Sequence, residues 1–217
     1  MTVKPILYER AGVDGLCPSP VCWRARIALA LKGVEVERRA MRFADVDTLA
    51  ETTGSRTVPV LAVDGAMIVN SDAIAAHLDT MAPSGPQLMA GDAATVGADQ
   101  RPDPGTELPL QVGADFQRRL LPEDRDYFKQ SREARYGRSF EELETLRGGL
   151  ELDLAFSLGR LEPQLEAHRY LGGDEIAWSD IVVYSYIAWI AFASPRSMPE
   201  LVNPVRTWFE RHDAEWR

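Results

Sequence analysis

Ser19 stands directly before Pro20, where a loop carrying Gly12, Gly15 and Pro18 gives way to a run that is apolar at helical spacing. Proline suits a first helical turn because its missing N–H leaves nothing unsatisfied there. A serine in that place caps the helix, a role worth about 1 kcal/mol. Its hydroxyl also sits at the positive end of the helix, where a donated hydrogen bond favours an anion. Asn70-Ser71-Asp72 opens a second predicted helix, with Ser71 as cap and Asp72 as first-turn acid. The two cysteines, Cys17 and Cys22, have four residues between them, which is neither redox-pair spacing nor a zinc-ligand pattern. A disulfide is not expected; Cys22 falls one turn inside the helix as a small core residue, and Cys17 lies in the loop, reactive if exposed. His77, His168 and His212 have no spacing that suggests a metal site or a triad, and no serine has the glycine-flanked setting of a hydrolase nucleophile. Arg132-Glu133-Ala134-Arg135 reads as a solvated helix face with ion pairs.

The elements that must position these residues follow from apolar periodicity. Residues 5–9 form a strand, 21–31 a helix with Lys32-Gly33 as its stop, 34–37 a second strand, and 45–51 a helix with Val46, Leu49 and Ala50 on one face. Two apolar runs, 58–63 and 66–69, flank Asp64-Gly65, the pattern of an antiparallel hairpin. A helix begins near Ser71, with Ile74 and Leu78 one turn apart, so the order is βαβαββα. Residues 83–110 are rich in Pro, Gly and Asp without periodicity and predict a surface linker between a domain at 1–82 and a domain at 111–217. In the second domain every pattern is helical: 114–121, 124–136, 140–170 with a break at Gly148-Gly149, 179–193 and 200–211.

The chain is acidic, with a formal charge of −9 and a pI near 4.9, which argues against binding a phosphate backbone. With 45% hydrophobic and 26% charged residues, its composition is that of a globular protein. It has no apolar run long enough to span a bilayer, and a cytoplasmic protein without nucleic-acid or membrane partners is expected.

The order βαβαββα followed by helices resembles a glutathione S-transferase, a thioredoxin-like α/β domain joined to an all-α domain. Three segments carry the resemblance: Ser19-Pro20-Val21-Cys22-Trp23-Arg24-Ala25-Arg26-Ile27-Ala28-Leu29, Val58-Pro59-Val60-Leu61 and Asn70-Ser71. Ser-Pro-x-x-Trp-Arg, together with Asp126-Tyr127-Phe128-Lys129-Gln130-Ser131-Arg132-Glu133-Ala134-Arg135-Tyr136-Gly137-Arg138-Ser139, is similar to bacterial β-etherases and their fungal relatives. The resemblance implies a homodimer with glutathione as co-substrate, no metal, and a small hydrophobic or aromatic electrophile as acceptor, in the etherase branch a β-aryl ether.

By that resemblance Ser19 stabilises the glutathione thiolate as a donor. Pro59 is the cis-proline that turns Val58 so its N–H and C=O pair with the cysteinyl part of glutathione. Ser71 holds the γ-glutamyl carboxylate, and Asn70 stands where the family usually has an acid, with Asp72 as a substitute. Arg42 or Arg56 takes the glycyl carboxylate, and Trp23, Tyr127 and Tyr136 face the acceptor. Ile176-Ala177-Trp178-Ser179-Asp180-Ile181 resembles the family's buried capping motif with Ala177 in place of the capping hydroxyl. Asp180 then serves folding, with Ser179 as the cap. Two alternatives stand beside this reading: a glutathione-dependent thiol reductase using Cys17, and a binding protein that has kept the fold without the chemistry.

Overall fold

The computed structural model describes residues 4–82, 84–89 and 112–216, the side chains of 150 and 153 excepted. Its first half is β1 (Ile6–Arg10), α1 (Pro20–Leu31), β2 (Glu37–Met41), α2 (Val46–Thr53), β3 (Val60–Val63), β4 (Ala66–Val69) and α3 (Ser71–Met81), the expected βαβαββα. The sheet order is β2-β1-β3-β4, with β1 parallel to β2 and antiparallel to β3, and β3 antiparallel to β4. Asp64 at φ 49 and Gly65 at φ 79 make the tight β3–β4 turn, both in the left-handed region a two-residue hairpin turn demands.

β2 departs from expectation. The strand is Glu37–Met41, almost wholly exposed, and not 34–37. As the sheet's edge it has charged side chains on both faces, a device that blocks edge-to-edge association and erases the alternation by which strands are recognised. Val34 and Val36 pack on the core from the approach to the strand.

The second half is helical: α4 (Gly113–Gln117), α5 (Arg125–Tyr136), α6 (Phe140–Thr145), α7 (Arg147–Gly159), α8 (Glu162–Ala167), α9 (Trp178–Ala193) and α10 (Asn203–Trp216). The expected break at Gly148-Gly149 is absent; α7 runs through both glycines, and the chain turns at Leu146 instead. Glycine inside a helix costs roughly 1 kcal/mol, too little to break one whose first residue is held elsewhere. Arg147 is so held, by Glu144, Ser194, Ser197 and Asp115. The residues expected to form a surface linker lie largely outside the described residues. The described piece near its start is not superficial: Leu88 is fully buried, and Asp79 accepts the N–H groups of Leu88 (2.9 Å) and Met89 (2.8 Å) while pairing with Lys32 (2.7 Å).

α9 is the central helix, buried along most of its length and packed against α1. Its head is organised by Asp180, which is fully buried and accepts from Leu171 N (2.9 Å), Gly172 N (3.3 Å), Ala177 N (3.1 Å) and Trp208 Nε1 (2.8 Å). Ser179 is therefore not the cap; it is buried inside the first turn, and the carboxylate of Asp180 reaches back to the N-cap backbone of Ala177. Gly172 is required by this closeness, since a Cβ there would lie 2.3 Å from that of Ala177. At the tail of the same helix, Asp115 of α4 meets Ser194 Oγ (2.6 Å), Arg196 Nε (2.9 Å) and Arg147 Nη2 (3.2 Å).

Burial pushes the Asp115 carboxyl up, but hydrogen bonds from Arg196 and Ser194 and the charge of Arg147 outweigh it and hold the group at about 2. A depressed carboxyl contributes stability that is present above its unfolded value, near 3.9, and is lost as pH falls through the folded one. The free energy of unfolding, followed by urea denaturation, should thus fall as pH drops from about 5 toward 2. Asp115→Asn should lower stability at neutral pH and flatten that acid limb. Asp180→Ala, which strands three buried donors and a fourth that is partly buried, should cost about 3 kcal/mol or more by the same measurement; a loss within 1 kcal/mol would contradict its place at the head of α9.

Candidate active site

The strand directions bring the chemically marked segments to one edge of the sheet. β1 ends at Arg10 on that edge, α1 begins there after the loop, antiparallel β3 starts there, and β4 ends there and delivers the head of α3. The rows Tyr8↔Val60 and Val60↔Val69 tie the three strands in register.

Ser19 is the N-cap of α1, its Oγ accepting from Cys22 N at 3.3 Å. Against burial, and alongside Cys17, the same hydroxyl hydrogen-bonds the Cys22 side chain and helps to lower that thiol's pKa. Val58-Pro59 is a cis peptide, and the backbone N–H and C=O of Val58 form no hydrogen bond with any described residue. Asn70 N–H donates to Pro59 O (3.1 Å), so the head of α3 adjoins this corner.

Here Asn70, not Ser71, is the N-cap: its Oδ1 accepts from Ala73 N at 2.8 Å, from a backbone at φ 72 and ψ 158. That conformation is essentially glycine's own, and a non-glycine residue held in it costs on the order of 1–3 kcal/mol, a form of strain that clusters at binding sites. Ser71, released from capping, is 3% exposed, and its hydroxyl makes no hydrogen bond among the described residues. Asp72 is committed to the second domain, accepting from Trp178 Nε1 at 2.7 Å.

Beside this edge a cleft of about 420 Å³ opens between the two halves. Ser19, Thr57 and Val58 form one wall; α5 supplies the other through Phe128, Arg132, Arg135 and Tyr136. Its floor is a set of edge-to-face rings, with Phe43–Phe128 at 5.4 Å, Phe116–Phe128 at 5.3 Å and Phe116–Trp189 at 5.3 Å. Trp189 Nε1 also holds Pro18 O (3.3 Å), which fixes the residue before Ser19.

Of the expected acceptor aromatics, Tyr136 lines this cleft. Trp23 does not: it bonds Cys17 O (2.7 Å), packs edge-on against Phe192 (5.7 Å) and lines a separate apolar cavity of about 350 Å³ with Leu16, Cys17 and Trp216. Tyr127, 42% exposed, is outside the cleft lining. Neither expected cation reaches the cleft. Arg42 lies 3.5 Å from the buried carboxylate of Asp124, and Arg56 pairs with Asp47 (2.9 Å) in open solvent.

Cys17 is 3% exposed, and its thiol is pushed up by a hydrogen bond with the Cys22 thiol and by burial. Such a thiol is a poor nucleophile. The fully buried Cys22 is core, as its position in the helix predicts. Among the described residues no group of His, Cys, Asp and Glu could hold a metal, and no helix is long and apolar enough to cross a membrane.

Four arginines that the sequence reading left out of the site line the cleft: Arg10, Arg24, Arg132 and Arg135. The expected solvated face at Arg132 is wrong for that side chain, which lies over the Phe128 ring (4.9 Å) with its guanidinium held below its ordinary value by burial. The signal was available, since Phe128, Arg132 and Tyr136 recur at four-residue intervals and so share a helix face.

Comparison with known proteins agrees with this architecture. A curated relative from Caenorhabditis elegans, a probable maleylacetoacetate isomerase, is 35% identical over 88 residues, a match covering 39% of this chain and 38% of that protein. The glutathione transferase GSTFuA3 of Phanerochaete chrysosporium superposes with a TM-score of 0.83 at 22% identity, over 100% of this chain and 98% of its own. A glutathione S-transferase of Ceriporiopsis subvermispora, solved in complex with glutathione, gives 0.80 at 17% identity, over 99% and 98%. Glutaredoxin 2 of Salmonella typhimurium, also in complex with glutathione, gives 0.79 at 18% identity, over 98% and 94%. The N-terminal domain model of the glutathione S-transferases matches residues 15–87 and the C-terminal domain model residues 107–210, one on each half of the fold, and the chain belongs to the glutathione S-transferase family.

Proposed function

We propose that the protein is a glutathione transferase acting on an aromatic electrophile. The observation that carries this reading is the convergence on one sheet edge of Ser19, at the head of α1, with Val58 and Ser71, whose hydrogen-bonding groups are unspent among the described residues, beside an aromatic cleft that a second substrate would enter. Glutathione would supply the thiol: as thiolate it forms a C–S bond to the acceptor carbon, the leaving group departs with its bonding pair, and the thiol proton passes to solvent.

The protein's own part is placement and charge stabilisation. Val58 N–H and C=O pair with an extended peptide as a strand would. Ser71, with the N-terminal amides of α3, receives a carboxylate. Ser19 O–H and the head of α1 favour a thiolate over a thiol, so most of the rate comes from proximity and from stabilising that anion. β-Aryl ethers and halogenated aromatics are the acceptor classes to screen, and the family's homodimer belongs to the same reading. The name of the curated relative favours one second reading, a glutathione-dependent isomerase, in which the same groups hold the co-substrate and nothing is expelled.

Titration calorimetry should give saturable glutathione binding that weakens about tenfold to a hundredfold in Ser71→Ala, as losing a hydrogen bond to a charged group implies. No binding up to millimolar glutathione would leave a protein with the fold and not the chemistry. Ser19→Ala should lower kcat roughly tenfold or more and raise the pKa of the bound thiol, read from thiolate absorbance; no change in either would sink the thiolate role. Turnover should survive Cys17→Ala, and its loss would restore the cysteine route.

A further inference from the structure

The cleft has a charge pattern that a neutral aromatic acceptor does not explain. No Asp or Glu is among its lining residues, whereas Arg10, Arg24, Arg132 and Arg135 are. This is a concentration of cations in a chain with 33 acidic and 24 basic side chains. Arg10, Arg132 and Arg135 form no ion pair with any described residue.

The direct contacts of Arg10, Arg132 and Arg135 are with neutral groups. Arg10 Nη1 donates to Arg42 O (2.8 Å) and its guanidinium lies over the Phe43 ring (4.8 Å). Arg132 donates to Ser131 Oγ (3.3 Å) above Phe128, and Arg135 lies over Tyr136 (5.5 Å). Arg24 is oriented by Ser185 Oγ (3.0 Å). The buried carboxylate of Asp124 accepts from Phe43 N and Ala44 N and faces Arg42; it favours the Arg10 charge at longer range but forms no ion pair with it.

Arg10 and Arg132 are both lowered by burial, and Arg135 and Arg10 lower Arg132 further by like-charge repulsion. Partly buried guanidinium groups facing one another and aromatic rings are a costly arrangement, and a planar anion relieves it by accepting their paired N–H donors.

Building on the transferase reading, we propose that the acceptor is an aromatic carboxylate, its ring seated on the Phe43, Phe116 and Phe128 floor and its carboxylate held by Arg10 and Arg132. The electrophilic carbon then faces the Ser19 wall across the cleft. Arg135, more exposed than the other two, draws the acid in and does not clamp it.

The test uses 4-chloro-3-nitrobenzoate and its uncharged amide, both as acceptors with glutathione and, by calorimetry with glutathione absent, as ligands. The acid should bind, and show kcat/KM, at least about tenfold better than the amide. Arg132→Gln and Arg10→Gln should each remove most of that preference by weakening the acid far more than the amide, without raising the glutathione KM, and differ from Arg138→Gln, an exposed arginine of the same segment outside the cleft lining. Equal binding of acid and amide would overturn the proposal, as would a rise in glutathione KM in the arginine variants, since these arginines would then hold the co-substrate's carboxylate. Selective binding of the acid without turnover of either compound would support the arginine site while removing the transferase reading.

Discussion

The cleft has two walls built by separate halves of the chain, and a buried carboxylate sets their spacing. Asp124, fully enclosed at the head of α5, accepts from Phe43 N (3.1 Å) and Ala44 N (3.3 Å), just past the end of β2, and faces Arg42 at 3.5 Å. A carboxylate taken out of water is tolerated only when such donors replace its hydration. That requirement pins α5 against the sheet edge and places Phe128, Arg132 and Tyr136 opposite Ser19. Trp178 Nε1 on Asp72 (2.7 Å) and Trp189 Nε1 on Pro18 (3.3 Å) hold α9 to the same edge. The site is thus assembled by hydrogen bonds that cross between the halves, and a change in any of them moves one wall relative to the other.

Charge is distributed by the same logic. Elsewhere in the fold some acids and arginines are matched, with Glu9 on Arg26 and Asp115 on Arg196 and Arg147, while Arg119 lies over Phe192 and Arg211 over Tyr170. In the cleft Arg10, Arg132 and Arg135 meet ring faces. A cation over a ring gains on the order of 0.5–1 kcal/mol and leaves the charge in place. The result is a small positive region inside an acidic protein, with low-dielectric aromatic walls that focus its field on whatever enters.

How much of this was legible in the residues depended on how local its cause is. The hairpin follows from Asp64-Gly65, the start of α1 from Ser19-Pro20, and the helical half from apolar period, each decided within one or two turns of chain. β2 was misplaced because its sequence answers to its position at the sheet's edge and not to a buried face. The break at Gly148-Gly149 was misread because Arg147 is anchored by residues far ahead in the chain. Ser71 exchanged roles with Asn70 where the chain leaves β4 and Asn70 N–H is held by Pro59 O, a contact from a different strand.

By itself, then, the sequence determined the order of elements, the head of α1 and the β3–β4 turn, since caps, turns and periodicity are short-range. Only the tertiary structure decided which arginines are functional candidates. Arg42 and Arg56 look suitable in their segments yet are drawn off by Asp124 and Asp47. Arg10 and Arg132, far apart along the chain, share a cleft because packing across the two halves aims them at the same space, and no local preference encodes a meeting between residues so distant.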